Sequence, residues 1–163
     1  MMLEPKRKKP FRAKPYCAAI CLLSCVVVPV ANAQELDART PLEIVKGNYE
    51  ERGKNLETLL APDAKWTEAA GFPYAGTYVG FDDIVTNVFA RLASEWTGFR
   101  FIPEGYVADD KRVVAFGKYE GTFNETGKNV STRVAHVWLL EGGKVVEFEQ
   151  IVDSVPVVEA MRD

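Results

Sequence analysis

Apolar positions recur every three or four residues in two stretches before Trp96, and from Phe99 onward the pattern is that of strands. Leu42, Val45 and Tyr49 fall on one helical face. Thr40 supplies a cap before them, Pro41 suits the first helical position, and Glu43 completes a capping box. Gly53 interrupts, and Leu56 to Leu60 reads as a second helical piece ended near Pro62. Ala64 to Ala70 reads as a short strand. Gly71, Pro73 and Gly76 then make a loop, with a little β structure around Thr77-Tyr78. Phe81 to Glu95 is the clearest helix. Asp82 and Asp83 favour its N-terminus, and Val85, Phe89, Leu92 and Trp96 form a stripe widened by Ile84 and Val88.

This later stretch predicts four strands, about Phe99 to Ala108, Arg112 to Phe123, Val130 to Leu140 and Val145 to Ser154. Asp109-Asp110, Thr126-Gly127 and Gly142-Gly143 are the turns, and Pro156 starts a short tail. Helices followed by an antiparallel meander predict an α+β fold. Ala135, Val137 and Leu139 alternate with His136, Trp138 and Leu140, so this strand is apolar on both faces. A sheet with one wet face would alternate apolar with polar. The second face therefore needs a cover, and a homodimer through the sheet is the simplest.

Composition changes the picture at the N-terminus. Lys6, Arg7, Lys8, Lys9, Arg12 and Lys14 precede an apolar run from Cys17 to Val30, and Ala31-Asn32-Ala33 is an A-x-A site. This predicts a secretory signal peptide over 1–33, cleaved after Ala33, and a single domain over 34–163 that is periplasmic or secreted. An uncleaved anchor is disfavoured because the run is short for a bilayer. A lipoprotein acylated on Cys25 is disfavoured by the bulky Leu23 and the better site downstream. Cys17, Cys21 and Cys25 all leave with the leader, so the exported domain needs no disulfide. Removing six basic and one acidic residue leaves 14 Lys/Arg against 22 Asp/Glu, a net of −8. That argues against nucleic acid, or a membrane after leader cleavage, as partner. The sequons at Asn124 and Asn129 would matter only in a eukaryotic host, and the leader looks bacterial.

The Ala61-Pro62-Asp63-Ala64 step, Gly76-Thr77-Tyr78-Val79-Gly80 before a helix, and the closing Gly143-Lys144-Val145…Asp153 strand resemble the SnoaL-like branch of the nuclear-transport-factor-2-like superfamily. The likeness spans nearly all of residues 40–158. It implies a cystatin-like α+β cone: helices packed on a curved, mainly antiparallel sheet that encloses an apolar cavity. The superfamily includes polyketide cyclases, ketosteroid isomerases, limonene-type epoxide hydrolases and proteins without demonstrated activity, so fold leaves function open.

The resemblance nominates catalytic carboxylates. The epoxide hydrolases end their last strand in a catalytic aspartate, and the matching residue here is Asp153; the alternative is an aspartate that caps the Pro156 turn. Ala61-Pro62-Asp63-Ala64-x-x-x-Glu68 resembles the ketosteroid isomerase step whose last residue is the general base, which nominates Glu68; the alternative is a solvated loop residue. An acid in an apolar cavity has its charged form disfavoured and becomes a usable proton shuttle. His136 is the chain's one histidine. With a two-residue Gly142-Gly143 turn it lies opposite Glu149, on one face with Ile151 and Asp153; a four-residue loop places it opposite Phe148 or Gln150. A core histidine is its plainer role. Tyr49, Trp66, Phe89 and Trp138 either line a ligand pocket, with Glu149, or simply fill the core. Lys118-Tyr119-Glu120 loosely resembles an epoxide hydrolase strand motif and reads mainly as surface. One histidine and no mature cysteine make a metal site improbable, and no phosphate loop, dinucleotide fingerprint or nucleophile elbow is present. The ketosteroid isomerase set is incomplete: Lys46 stands at the helix position expected to carry its tyrosine, and no acid matches its second, protonated one. The expected activity is a cofactor-independent isomerase, cyclase or epoxide hydrolase acting on a small apolar molecule. Non-catalytic ligand binding, or a dimerisation module, is the alternative.

Overall fold

The computed structural model describes residues 39–163, so the proposed leader lies outside the described residues. Helix α1 (Pro41–Glu50) begins with the expected capping box between Thr40 and Glu43. A short α2 (Leu56–Leu59) leads directly into β1 (Leu60–Glu68), and β2 (Gly76–Val79) follows the loop. The long helix is continuous but not uniform. It consists of α3 (Phe81–Ile84), a π-helical turn (Val85–Phe89) and α4 (Ala90–Glu95). Four long strands come next: β3 (Trp96–Ala108), β4 (Arg112–Phe123), β5 (Asn129–Glu141) and β6 (Lys144–Val152). The expected tail is helix α5 (Val155–Ala160), with Pro156 in its first turn.

The six strands form one open sheet in the order β2-β1-β6-β5-β4-β3. Every pairing is antiparallel except β1 with β6, where the chain returns after the helices. The strand at Ala64 starts four residues earlier than its apolar pattern suggests. Around Pro62 the register of β1 slips between Leu60 and Lys65, which lets a residue without an N–H sit inside a strand. Bulges in β3, between Thr97 and Arg100 and between Pro103 and Gly105, bend the far edge. One face of the sheet packs against α1 and the long helix. Ile44, Val45, Ile84 and Val88 meet Trp66, Trp138 and Phe148 there. A second cluster of Phe72, Tyr74, Trp96, Phe123 and Val130 is closed by Val157 and Ala160 of α5. No described helix is long and apolar enough to cross a membrane.

The β5–β6 hairpin decides the site. Its turn is the two-residue Gly142-Gly143, since Glu141 pairs Lys144 and Leu140 pairs Val145. Beyond that the register slips, and Leu139 pairs Glu147, leaving Val146 as an extra residue. His136 therefore lies opposite Gln150, not Glu149. With a side-chain period of two, one inserted residue turns every later side chain of β6 to the other face.

Candidate active site

Strand alternation sets two rows across the inner face. Trp66, Phe148, Trp138 and Val113 form one, and Glu68, Gln150, His136 and Ala115 form the next. Trp66 and Phe148 stack at 3.6 Å between ring centres, and Trp138 meets both edge-on. These residues, with Tyr49, Val88, Phe89, Leu92 and Phe101, line a cavity of about 810 Å³. That volume suits a small organic molecule. Val88 and Phe89 come from the π turn of the long helix, a feature often found at functional sites.

The polar groups of the cavity are connected. His136 is buried, with Nδ1 2.7 Å from the Tyr49 hydroxyl and Nε2 2.6 Å from the Tyr119 hydroxyl. Burial pushes its pKa down to about 3, so the imidazole is neutral and carries one N–H. The Trp138 indole donates to the Tyr49 oxygen at 2.8 Å. Gln150 accepts from the Ala69 N–H at 3.3 Å, which fixes its amide orientation, and its Nε2 donates to the Tyr119 oxygen at 3.1 Å. Burial raises the pKa of both phenols, so both keep their protons.

A count of protons follows from these contacts. The imidazole donates to one phenol and accepts from the other. The phenol it accepts from has used its O–H. The phenol it donates to already receives a second N–H, from Trp138 or Gln150, and its own O–H is left over. In either tautomer one hydroxyl on the cavity wall has a proton to offer a ligand oxygen.

Glu68 is the second chemical group. It ends β1, is 4% exposed and lines the same cavity. The Trp66 indole donates to its Oε1 at 2.7 Å, while Oε2 is buried without a partner. Burial lifts its pKa to about 7, against the pull of the Trp66 N–H and the Gln150 amide. A carboxyl poised near neutrality beside an unfilled space can take or give a proton.

Of the expected site residues, Glu68, His136, Tyr49, Trp66, Phe89 and Trp138 all line the cavity. Asp153 and Glu149 do not. The bulge at Val146 turns both outward, and both are exposed. Asp153 accepts from the Val155 N–H at 3.3 Å and so takes the capping role named as its alternative. Sequence reasoning missed Tyr119, Gln150 and Asn48. The alternation of Val113, Ala115 and Tyr119 in β4, opposite to Lys118 and Glu120, was the available signal for Tyr119. No signal in the sequence placed Gln150, because its face depends on the bulge.

A SnoaL-like domain model matches residues 49–148. The crystal structure of an NTF2-like protein from Burkholderia thailandensis is similar at 43% identity, covering 77% of this chain and 99% of that one, with a TM-score of 0.73. An NTF2-like protein of unknown function from Burkholderia pseudomallei is similar at 22% identity, covering 75% and 97%, with a TM-score of 0.67. TerC, co-crystallized with polyporic acid, is similar at 23% identity, covering 75% and 98%, with a TM-score of 0.65. No curated protein matches the sequence.

Proposed function

The chain belongs to the SnoaL-like family of NTF2-like proteins, and on that premise we propose that it is a cofactor-independent acid–base enzyme of the isomerase or cyclase type. Its substrate is a small, apolar, oxygenated molecule. Glu68 removes a proton from carbon and returns it elsewhere, while the spare phenol O–H of the Tyr49–His136–Tyr119 set donates to the oxygen that gains charge. The observation that carries this reading is the unpartnered, buried Oε2 of Glu68 on the wall of the same cavity as that hydroxyl. TerC, a protein of similar fold, was co-crystallized with polyporic acid, a small organic molecule of the size such a cavity would take.

The base is tested without knowing the natural substrate. In 5-nitrobenzisoxazole a base removes the proton on C3. The C–H electron pair becomes the third C–N bond of a nitrile, the N–O bond breaks with its electrons left on oxygen, and the product is a single coloured cyanonitrophenolate with the proton on Glu68. The wild-type rate should rise with pH through an apparent pKa of about 7. Glu68→Gln should lower the rate by about 100-fold or more, the usual scale of general-base catalysis. Asp153→Asn should leave it unchanged. A Glu68→Gln rate equal to wild type removes the enzyme reading and leaves ligand binding.

Export and self-association belong to the same proposal. The basic stretch Lys6 to Lys14, the apolar run and Ala31-Asn32-Ala33 support a periplasmic or secreted domain. The outward, partly apolar face of the sheet supports a homodimer.

A further inference from the structure

The rim of the cavity carries a residue that the fold itself does not favour. Helix α1 ends in a Schellman arrangement: the Gly53 N–H donates to the Asn48 carbonyl at 2.8 Å and the Arg52 N–H to the Tyr49 carbonyl at 3.0 Å. The residue after the cap of such a helix sits in the left-handed region, where glycine is usual. Here it is Arg52, at φ 56°, the only non-glycine residue with positive φ among those described. A β-carbon is strained there, and such strain persists mostly where function demands the side chain.

The Arg52 side chain lines the cavity and is exposed, which puts it at the opening. Among the described residues its guanidinium has no hydrogen-bond or ion-pair partner. Arg100 is the other exposed cation of the lining, and it is held by Glu120 at 2.8 Å. Glu68 of the same cavity is buried, and the aromatic side chains of Trp66, Phe148 and Phe89 line the cavity with it. Charge is thus ordered along the cavity of an acidic chain: an acid inside, an unpaired cation at the mouth. An anionic group is repelled at the first and attracted at the second.

We propose that the ligand is an elongated apolar organic anion, with its charged end bound at the mouth by Arg52 and its apolar body against the aromatic side chains of the cavity. This rests on the reading of the cavity as a small-molecule site and names the class of molecule.

Two fluorescent probes with one skeleton separate the two claims: N-phenyl-1-naphthylamine, which is neutral, and 8-anilino-1-naphthalenesulfonate, which is the same body with an anionic group. Wild type should bind both at one per chain, each displacing the other, and should bind the sulfonate about 10-fold more tightly, the scale of one charge-assisted contact. Arg52→Ala and Arg52→Gly should each lose about 10-fold for the sulfonate and less than twofold for the neutral probe. Arg52→Lys should keep the preference. Arg52→Gly should also melt about 2–4 °C higher than wild type, because the strained β-carbon is gone. Unchanged sulfonate affinity in Arg52→Ala and Arg52→Gly overturns the role of Arg52 while leaving the cavity reading intact. So does an Arg52→Gly variant that melts lower, since the guanidinium would then be holding the fold. Failure of wild type to bind either probe overturns the cavity reading and this inference with it.

Discussion

Two buried titratable groups, separated by Gln150 in one row of the sheet, respond to pH in opposite senses. Glu68 has its pKa raised from 4.5 to about 7 in the folded chain. Its contribution to stability is full below pH 4.5 and is lost as pH rises toward about 7, where the unfolded state ionises more readily than the folded one. His136 has its pKa lowered from 6.5 to about 3. Its contribution is full above pH 6.5 and is lost as pH falls toward about 3. Between about pH 4.5 and 6.5 the two slopes oppose each other, each at most about 1.4 kcal/mol per pH unit. Denaturant unfolding of wild type should therefore vary little across that window. Glu68→Gln, which keeps the Trp66 contact but cannot titrate, should become less stable on acidification from pH 6.5. A flat profile in that variant would mean the imidazole is not held neutral by burial.

The strand pair β3–β4 shows how an element shapes the site. Tyr119 of β4 meets His136 of the neighbouring β5 at 2.6 Å, and two residues before it the backbones of β3 and β4 approach closely. A β-carbon on Gly117 would lie 2.1 Å from the Ile102 carbonyl oxygen and 3.0 Å from Pro103 Cα. Neither is the tip of a flexible side chain, so the strands would have to part. Gly117→Ala should cost about 2–3 kcal/mol, the range for overpacking, and lower the melting temperature by several degrees. In the nitrobenzisoxazole assay it should also reduce the rate of the surviving folded protein, since Tyr119 lies two residues along the same strand.

For the whole molecule, the inward face is spent on the core and cavity, which leaves the outward face to be explained. Val107, Val114, Phe116, Ala135, Val137 and Ile151 share that face through direct strand pairing. Val107, on the edge strand β3, is 65% exposed, and Ile151 of β6 is 55% exposed. A contiguous apolar patch of this kind is a usual interaction surface, and an isologous contact buries it twice. Residues 34–163 should sediment as a dimer. Ile151→Asp combined with Phe116→Asp should give a folded monomer of unchanged melting cooperativity. A wild-type monomer at all concentrations would end the dimer reading.

The sequence by itself determined the order of elements and the division of faces. The capping box at Thr40, the helical stripe from Ile84 to Leu92 and the alternation through β4 and β5 are local periodicities, and local sterics with burial enforce them. They put Tyr49 on the apolar face of α1 and His136 and Trp138 on one face of β5, while Glu68 was nominated by the family resemblance. The structure alone decided which residues meet. The extra residue at Val146 turned Asp153 and Glu149 to the surface and brought Gln150 in, and His136 of β5 met Tyr49 of α1 and Tyr119 of β4. Each depends on how strands separated in sequence settle their register and curvature to fill a common core. That choice is a property of the packed sheet, and no short stretch of the chain encodes it.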